Sequence, residues 1–266
     1  MSRIQGRFEQ LKAAGKTALI PFVTAGDPQP EITVPLMHNL VKAGANLLEL
    51  GVPFSDPMAD GPVIQLASER ALAAGMSLKK VLDIVSEFRQ QDADTPVVLM
   101  GYLNPIEHAG YVEFAKAAGE AGVDGVLIVD LPPEEAQDLV KQLRPQKIDL
   151  IFLLAPTSNS NRIEKVASLA SGFVYYVSVK GVTGSKALDI TAVEQKLAEI
   201  RSHISLPLGV GFGISTPESA AQVASVADGV VVGSALVKQI ETLEASAVVD
   251  TLPILLAQMR TAMDAA

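Results

Sequence analysis

The sequence contains no cysteine, which excludes disulfide bonds and thiolate metal sites and suits a reducing compartment. It also has no run of basic residues, and its net charge is −9. Nucleic acid and anionic membrane surfaces bind clustered positive charge, so neither is an expected partner. Apolar stretches stay short of the roughly 18 residues that a membrane-spanning helix needs, and the N-terminal segment has no apolar signal core. We therefore expect a soluble, cytoplasmic protein.

Histidine is scarce as well. The three histidines, His38, His108 and His203, are scattered through helix-like or loop segments. Surface positions are the ordinary place for such isolated residues. We expect all three on the surface and no metal in this chain.

What the sequence does contain is a repeated pattern of strand and helix. Short apolar runs are each followed by a segment with helical spacing, and continuous apolar runs are typical of parallel strands covered on both faces. A chain of 266 residues with eight such units and no linker predicts one (β/α)₈ barrel domain over residues 1–266. The eight predicted strands are Ala18–Val23, Leu47–Val52, Val97–Tyr102, Gly125–Asp130, Leu150–Ala155, Phe173–Val179, Leu208–Phe212 and Gly229–Gly233.

Glycine and proline mark the helix ends. Gly44, Gly122 and Gly172 stand where a predicted helix gives way to a strand, a position that favours a left-handed backbone. Pro133 and Pro217 are expected to begin helices. These boundaries support the strand and helix alternation.

Two helical segments fall outside the eightfold repeat. We expect Arg3–Ala14 to plug the barrel floor and Ala247–Ala265 to pack against the outer ring. An open doubly wound sheet is the alternative fold, but the first turn, Val23–Pro28, lacks the glycine-rich pattern that such a sheet uses for a nucleotide. In a barrel, the loops after the strands carry the site.

Glu49 is the most informative residue. It lies inside the apolar run Leu48-Glu49-Leu50, so if the two leucines face the helices, Glu49 points into the barrel. An unpaired charge there is costly, which predicts a partner, a proton or a catalytic task. A buried carboxyl with a raised pKa suits proton transfer near neutral pH.

Asp60 lies eleven positions later, in a proline-rich loop that carries Asp56 as well and no positive residue. The barrel places both acids at the catalytic rim. A plainer alternative is that Glu49 pairs with a lysine or arginine and that Asp56 and Asp60 cap turns. We expect the strand to fix Glu49 in place, whereas the Asp60 loop becomes ordered with substrate or partner.

Glycine-rich turns follow the last two predicted strands, where barrels often bind a phosphate. Glycine lets the backbone approach a ligand closely, and a helix N-terminus offers free N–H groups. Either turn alone is weak evidence because glycine turns are common. The expected phosphate-binding residues are Gly211, Phe212, Gly213, Gly233 and Ser234, with Gly184 as a further backbone donor.

The segment Leu48–Gly61 resembles the signature of tryptophan synthase α chains, a strand glutamate followed by G-x-P-(F/Y)-S-D-P-x-A-D-G. The similarity extends over essentially the whole chain. Further family-like segments are Pro21–Pro28, Met100–Pro105, Asp130–Glu135, Gly181–Gly184, Gly211–Ile214 and Gly233–Ala235.

The resemblance implies retro-aldol cleavage of indole-3-glycerol phosphate into indole and glyceraldehyde 3-phosphate. It implies Glu49 as the proton shuttle, Asp60 as the carboxylate that stabilises charge on the indole ring, and Thr183 as a residue that positions Asp60. The predicted lining of the indole slot, for which ordinary barrel core is an alternative explanation, is Phe22, Met100, Leu127 and Tyr175.

The resemblance also implies a partner. A β subunit that carries pyridoxal phosphate would receive indole in an α2β2 heterotetramer, and the chain itself is expected to hold no cofactor. Packing at the barrel rim is the alternative explanation for the expected contact residues. These are Pro53, Phe54, Asp56, Pro57, Asn104, Pro105, Leu131 and Pro132.

Three other functions stay open. Lys180 follows the sixth predicted strand, where a Schiff-base aldolase would use a lysine as its electron sink. A stand-alone indole-releasing lyase would share the same site. A non-catalytic regulatory subunit is the third, although intact Glu49 and Asp60 argue against it. The segment 179–187 is predicted to be a lid, and it lacks the arginine often found there in the family.

Overall fold

The computed structural model describes residues 2–178, 189–211 and 213–266. The strands are Ala18–Thr24 (β1), Leu48–Gly51 (β2), Val97–Gly101 (β3), Gly125–Ile128 (β4), Asp149–Ile151 (β5), Leu153–Leu154 (β6), Val174–Val177 (β7), Leu208–Gly211 (β8) and Gly229–Val232 (β9). The α-helices are Arg3–Ala13 (α1), Thr33–Lys42 (α2), Pro62–Ala73 (α3), Leu78–Arg89 (α4), Leu103–Ala109 (α5), Tyr111–Ala121 (α6), Gln137–Leu143 (α7), Ser160–Leu169 (α8), Ile190–Arg201 (α9), Pro217–Ala224 (α10), Ser234–Thr242 (α11) and Ala245–Asp264 (α12). Short 3₁₀ helices span Pro30–Ile32 and Arg144–Gln146.

The strands form a parallel ring. Their order is β5-β4-β3-β2-β1-β9-β8-β7-β6, and only Phe152 separates the two outermost strands along the chain. The predicted fifth strand is therefore split: β5 pairs with β4, whereas β6 pairs with β7. Strands in a barrel are staggered, so the two neighbours of one strand meet it at different heights. The predicted (β/α)₈ barrel is confirmed, with this one strand in two pieces.

Side chains along each strand alternate between the helix layer and the barrel interior. Leu48 and Leu50 belong to the outer apolar cluster, between strands and helices. Val98 and Ile151 belong to a second cluster inside the ring. The same alternation turns Glu49 inward, as predicted.

Four of the described α-helices lie outside the eightfold repeat: α1 and α12, which were predicted, and α3 and α5, each the first of two helices that follow one strand. Helix α1 buries Ile4, Phe8 and Leu11 in the inner cluster and so closes the barrel floor. Helix α12 packs against α2, α10 and α11, and its Arg260 donates a hydrogen bond to the Thr17 carbonyl at 2.8 Å. Within the described ranges, no helix is both long and apolar enough to cross a bilayer.

Most of the predicted helix boundaries are confirmed. Gly122 ends α6 in the left-handed conformation with φ 86°, and the other two exit glycines also have positive φ. Pro217 begins α10 after the capping residue Thr216. Pro133 does not begin a helix: amide-to-carbonyl bonds three residues apart close a turn there, and α7 starts at Gln137.

The histidine prediction is only partly right. His108 and His203 are exposed. His38 is half-buried on α2, with its ring 4.7 Å from the ring of Phe88 on α4. An imidazole has a flat apolar body, which packs well on an aromatic ring, so His38 contributes to the contact between helices.

Candidate active site

A narrow cleft opens at the carboxyl ends of β1, β2 and β3. Its walls come from these strands, from the loop that carries Asp60 and from α3. A larger, open depression lies beside α1, at the opposite end of the barrel, and neither predicted carboxylate lines it. Since the carboxyl-terminal face carries the site in β/α barrels, we take the smaller cleft as the candidate active site.

Glu49 is 2% exposed and lies in β2, paired in register with Phe22 of β1 and Val98 of β3. Its Oε1 atom is buried and has no hydrogen-bond partner among the described residues. Burial, aided by the nearby charge of Asp60, raises the pKa of Glu49 to about 8. At neutral pH the side chain is therefore mostly a neutral acid, ready to give up a proton.

The alternative that Glu49 merely forms an ion pair has no support in the described part of the chain. No lysine or arginine there lies within ion-pair distance of its carboxyl group. An unpaired carboxyl in the barrel interior is what the catalytic interpretation requires, and its cost in folding free energy is consistent with a functional role.

Asp60 is held by a residue that the sequence argument missed. The Tyr102 hydroxyl donates a hydrogen bond to Asp60 Oδ2 at 3.0 Å and accepts one from the Ala59 amide, also at 3.0 Å. Burial raises the pKa of the half-buried Asp60, and the hydrogen bond from Tyr102 opposes that rise. These bonds set the direction of the carboxylate, and the order of the loop with substrate or partner stays a prediction.

The alternative role of these loop acids, turn capping, does not fit Asp60. Its carboxylate accepts from Tyr102, and α3 begins after Gly61 without any side-chain cap. Asp56 is different: it is exposed, and its carboxylate accepts a hydrogen bond from the adjacent Ser55 hydroxyl at 2.5 Å. Asp56 therefore stabilises the loop locally and stays accessible.

Tyr102 was not recognised because the carboxylate it binds lies 42 positions earlier. A signal was present, however. Tyr102 directly follows β3, and β3 pairs with β2, which carries Glu49. Residues that end neighbouring parallel strands meet at one edge, so this tyrosine belongs to the same rim.

The four residues predicted to line the indole slot separate into two groups. Phe22 and Met100 line the cleft. Leu127 has no exposed surface and packs inside the inner cluster, so it lies below the cleft. Tyr175 packs partly on that cluster; burial, and secondarily the charge of Glu49, raise its pKa well above the usual value.

The predicted phosphate-binding residues lie after β8 and β9. Gly211 is the last residue of β8 and lies directly against Tyr175. A Cβ atom at this position would overlap the tyrosine hydroxyl. Gly213 has φ 78°, which favours glycine. Ser234 begins α11 without a side-chain cap and is exposed. A Cβ at Gly233 would lie 3.6 Å from Phe22, which places this turn beside the cleft.

Several predicted residues lie outside the described residues. These are Thr183, Gly184 and Phe212, together with Lys180 and the predicted lid segment 179–187.

The predicted partner-contact residues are exposed to different degrees. Asp56 and Asn104 are exposed, and Phe54, Pro57, Pro105 and Pro132 are partly exposed. A contact residue must be accessible to the partner, and Pro53 and Leu131 are buried, so the structure contradicts the prediction at these two positions. Leu131 packs in the outer cluster under the rim.

Phe54 stacks on Tyr102 with ring centroids 5.2 Å apart. Met58, in the same loop, is 85% exposed and was not predicted.

The sequence matches known proteins over nearly its whole length. A family model described as tryptophan synthase alpha chain matches residues 8–264. The chain is 63% identical over 266 residues to a tryptophan synthase alpha chain from Thioalkalivibrio sulfidiphilus, with 99% of this chain and 100% of that protein covered. It is 59% identical over 267 residues to one from Nitrosococcus oceani, with 100% and 98% covered.

Solved structures show the same similarity. Tryptophan synthase subunit alpha from Legionella pneumophila superposes with a TM-score of 0.93 at 49% identity and covers 100% of both chains. A chain of Mycobacterium tuberculosis tryptophan synthase superposes with a TM-score of 0.89 at 34% identity and covers 98% of each.

Proposed function

The chain belongs to the tryptophan synthase alpha chain family, and we propose that it is a lyase that cleaves indole-3-glycerol phosphate to indole and glyceraldehyde 3-phosphate. This reaction belongs to the last steps of tryptophan biosynthesis. The observation that carries the proposal is the buried, unpaired carboxyl of Glu49, with its pKa near 8, beside the carboxylate of Asp60.

In the proposed mechanism, Glu49 first donates its proton to C3 of the indole ring. The ring becomes an iminium-like cation that accepts electrons from the bond between C3 and the glycerol chain. The carboxylate of Glu49 then takes the proton of the side-chain hydroxyl next to that bond. As the bond breaks, an aldehyde forms, the ring regains its electrons, and Glu49 is protonated again.

Asp60 has an electrostatic role in this mechanism. A carboxylate near the ring N–H stabilises the positive charge that develops on the ring in the transition state. The Tyr102 hydroxyl holds that carboxylate in advance. Preorganised charge of this kind needs no rearrangement when the reaction takes place, which is the source of its catalytic effect. The resemblance adds Thr183 as a further positioning residue.

For substrate binding, we assign the ring to Phe22 and Met100 in the cleft, with Tyr175 beside Glu49 and Leu127 supporting the slot from below. We assign the phosphate to the turns after β8 and β9, with Gly211, Gly213, Gly233 and Ser234 as backbone donors. The exposed first residue of α11, Ser234, supports this, because a helix leaves its first N–H groups without internal partners. Gly184 and Phe212 are carried over from the resemblance.

We further propose one domain and a cytoplasmic location, with a β subunit as partner in an α2β2 heterotetramer. The β subunit would hold pyridoxal phosphate, which supplies the chemistry that joins indole to serine. The loop from Phe54 to Asp60 supports this docking site, since its exposed residues lead directly to the catalytic carboxylate. A partner that covers the loop would hold Asp60 more rigidly.

Other functions are not favoured. Membership of this family gives no support to a Schiff-base aldolase, and Lys180 lies outside the described residues. Borohydride treatment with substrate should leave no adduct on Lys180. A stand-alone lyase would release indole at a rate that an added β subunit does not change, whereas a regulatory subunit would release none.

The test is indole release from indole-3-glycerol phosphate by the purified chain, alone and with a β subunit. We expect release that rises when the β subunit is added. Glu49→Gln should abolish release while the circular dichroism spectrum stays unchanged. Near-normal turnover by that variant would remove Glu49 from the mechanism, and no release by the wild type under either condition would overturn the proposed function.

A further inference from the structure

The side-chain hydroxyl of Thr24 forms no hydrogen bond that holds the described residues together. It is the last residue of β1, it is 2% exposed, and its Oγ1 atom is buried without a hydrogen-bond partner among the described residues. A buried hydroxyl without a partner is unfavourable, because it has left water and gained no bond in return. Valine has the same shape without this penalty, so the hydroxyl points to a partner that is not among the described residues.

The Thr24 hydroxyl belongs to the candidate active site. Thr24 lines the cleft together with Asp60, and Ser68 of α3, which is 4% exposed, lines it as well. We call Thr24 and Ser68 the hydroxyl recess. Gly51, which pairs with Thr24 in register, keeps the space open: a Cβ there would lie 2.7 Å from the Phe22 ring and 3.4 Å from the Thr24 backbone.

The surroundings determine which ligand group fits the recess. Phe22 and Met100 provide the apolar walls that suit a flat ring. Among the described residues no lysine or arginine lines the cleft, whereas Asp60 does, so an anionic substituent is disfavoured there. A neutral hydroxyl group both donates and accepts a hydrogen bond, as the side chains of threonine and serine do, and it therefore matches the recess.

We propose that the hydroxyl recess, Thr24 and Ser68, binds a hydroxyl group on the benzene part of an indole ring, so that the site takes ring-hydroxylated indoles as ligands. The inference rests on the proposed function, which places the indole ring in this cleft with its N–H towards Asp60. Thr24 is then a specificity-determining residue, because its unpaired hydroxyl gains a partner only from a ligand that carries one.

Fluorescence provides a direct test. The chain contains no tryptophan, so the emission of a bound indole is free of indole emission from the protein. Indole and a set of indoles with one hydroxyl at each position of the benzene ring are titrated with the full-length chain. The measured quantity is the Kd of each hydroxyindole divided by the Kd of indole. The variants are Thr24→Val, which removes the hydroxyl but keeps the shape, Thr24→Ser, which keeps a hydroxyl, and Ser68→Ala.

For at least one hydroxyindole, we expect Thr24→Val to raise this ratio about tenfold, the effect of one buried hydrogen bond. Thr24→Ser should restore the ratio, and Ser68→Ala should raise it as well. The Tm of Thr24→Val should not fall, because the described residues lose no hydrogen bond. A ratio that is unchanged in both Thr24→Val and Ser68→Ala for every hydroxyindole would overturn the inference.

The outcomes also separate the inference from the proposed function. Normal indole release from indole-3-glycerol phosphate, together with unchanged Kd ratios, would overturn the hydroxyl recess alone. A wild-type chain that binds no indole at all would overturn both. A clear fall in the Tm of Thr24→Val would show that the hydroxyl has a structural partner, and this result would overturn the inference even if the Kd ratio changed.

Discussion

The Tyr102 hydroxyl donates a hydrogen bond of 3.0 Å to the carboxylate of Asp60 and accepts one from the preceding amide, that of Ala59. Tyr102 is 4% exposed, and its ring is stacked on Phe54. One side chain therefore orders the loop at two points. The carboxylate proposed to stabilise the transition state is held by a rigid group of the barrel rim.

The first prediction concerns this bond. Tyr102→Phe removes a hydrogen bond to a charged group, worth about 1.5–3 kcal/mol, so kcat/KM for indole release should fall roughly tenfold to a hundredfold. Because the bond counters the raised pKa of Asp60, its loss should move the acid limb of the pH–rate profile to higher pH. Tyr111→Phe removes a similar bond, to the exposed Glu107, and serves as the control. An unchanged acid limb in Tyr102→Phe would contradict the assignment.

The second prediction concerns stability and pH. The pKa of Glu49 rises from 4.5 to about 8 on folding, so between these values the folded chain binds a proton that the unfolded chain has lost. The wild type should therefore lose stability relative to Glu49→Gln as pH rises from 4.5 to 8. The slope is about 1.4 kcal/mol per pH unit, at most roughly 5 kcal/mol in all. Urea unfolding across this range measures the difference, and a difference independent of pH would show that burial does not raise this pKa.

The third prediction concerns Gly211 and Tyr175. Gly211→Ala places a methyl group on the tyrosine hydroxyl, so the ring must shift beside Glu49. Indole release should fall about tenfold to a hundredfold, because a misplacement of about 1 Å in an active site costs up to about 10²-fold in rate. Tyr175→Phe removes the overlapping oxygen and should restore part of the rate. Restoration stays partial because ring carbons would still lie 2.5 and 2.9 Å from the new methyl. Strictly additive effects of the two substitutions would argue against the contact.

The fourth prediction concerns the partner surface. Met58 is 85% exposed in the loop that ends at Asp60, and an exposed apolar side chain there suits a protein contact. Met58→Ala should raise the Kd for a β subunit about tenfold to thirtyfold, measured by titrating the rise in indole release. Ile254 on α12 is 58% exposed and provides a matched control, since Ile254→Ala should bind normally. Equal Kd values for wild type and Met58→Ala would place the interface elsewhere.

The fold was largely predictable because its signals are local. Continuous apolar runs predict buried parallel strands, and glycine and proline mark the helix ends. The inward direction of Glu49 follows from its two leucine neighbours, since the alternation along a strand depends only on sequence order. The errors at Pro133 and in the undivided fifth strand concern local hydrogen bonding that depends on which neighbours are present. Burial of Pro53 and Leu131 likewise depends on the elements packed over them.

The sequence by itself determined the barrel, the inward glutamate and the position of the rim. Only the tertiary structure brought Tyr102 to Asp60, a contact across 42 positions, and Thr24 to Ser68 in one cleft. Such contacts depend on the register of neighbouring strands and on the packing of α3, neither of which follows from local patterns. The tertiary structure also gave Glu49 its raised pKa, because desolvation is a property of everything that surrounds a carboxyl group.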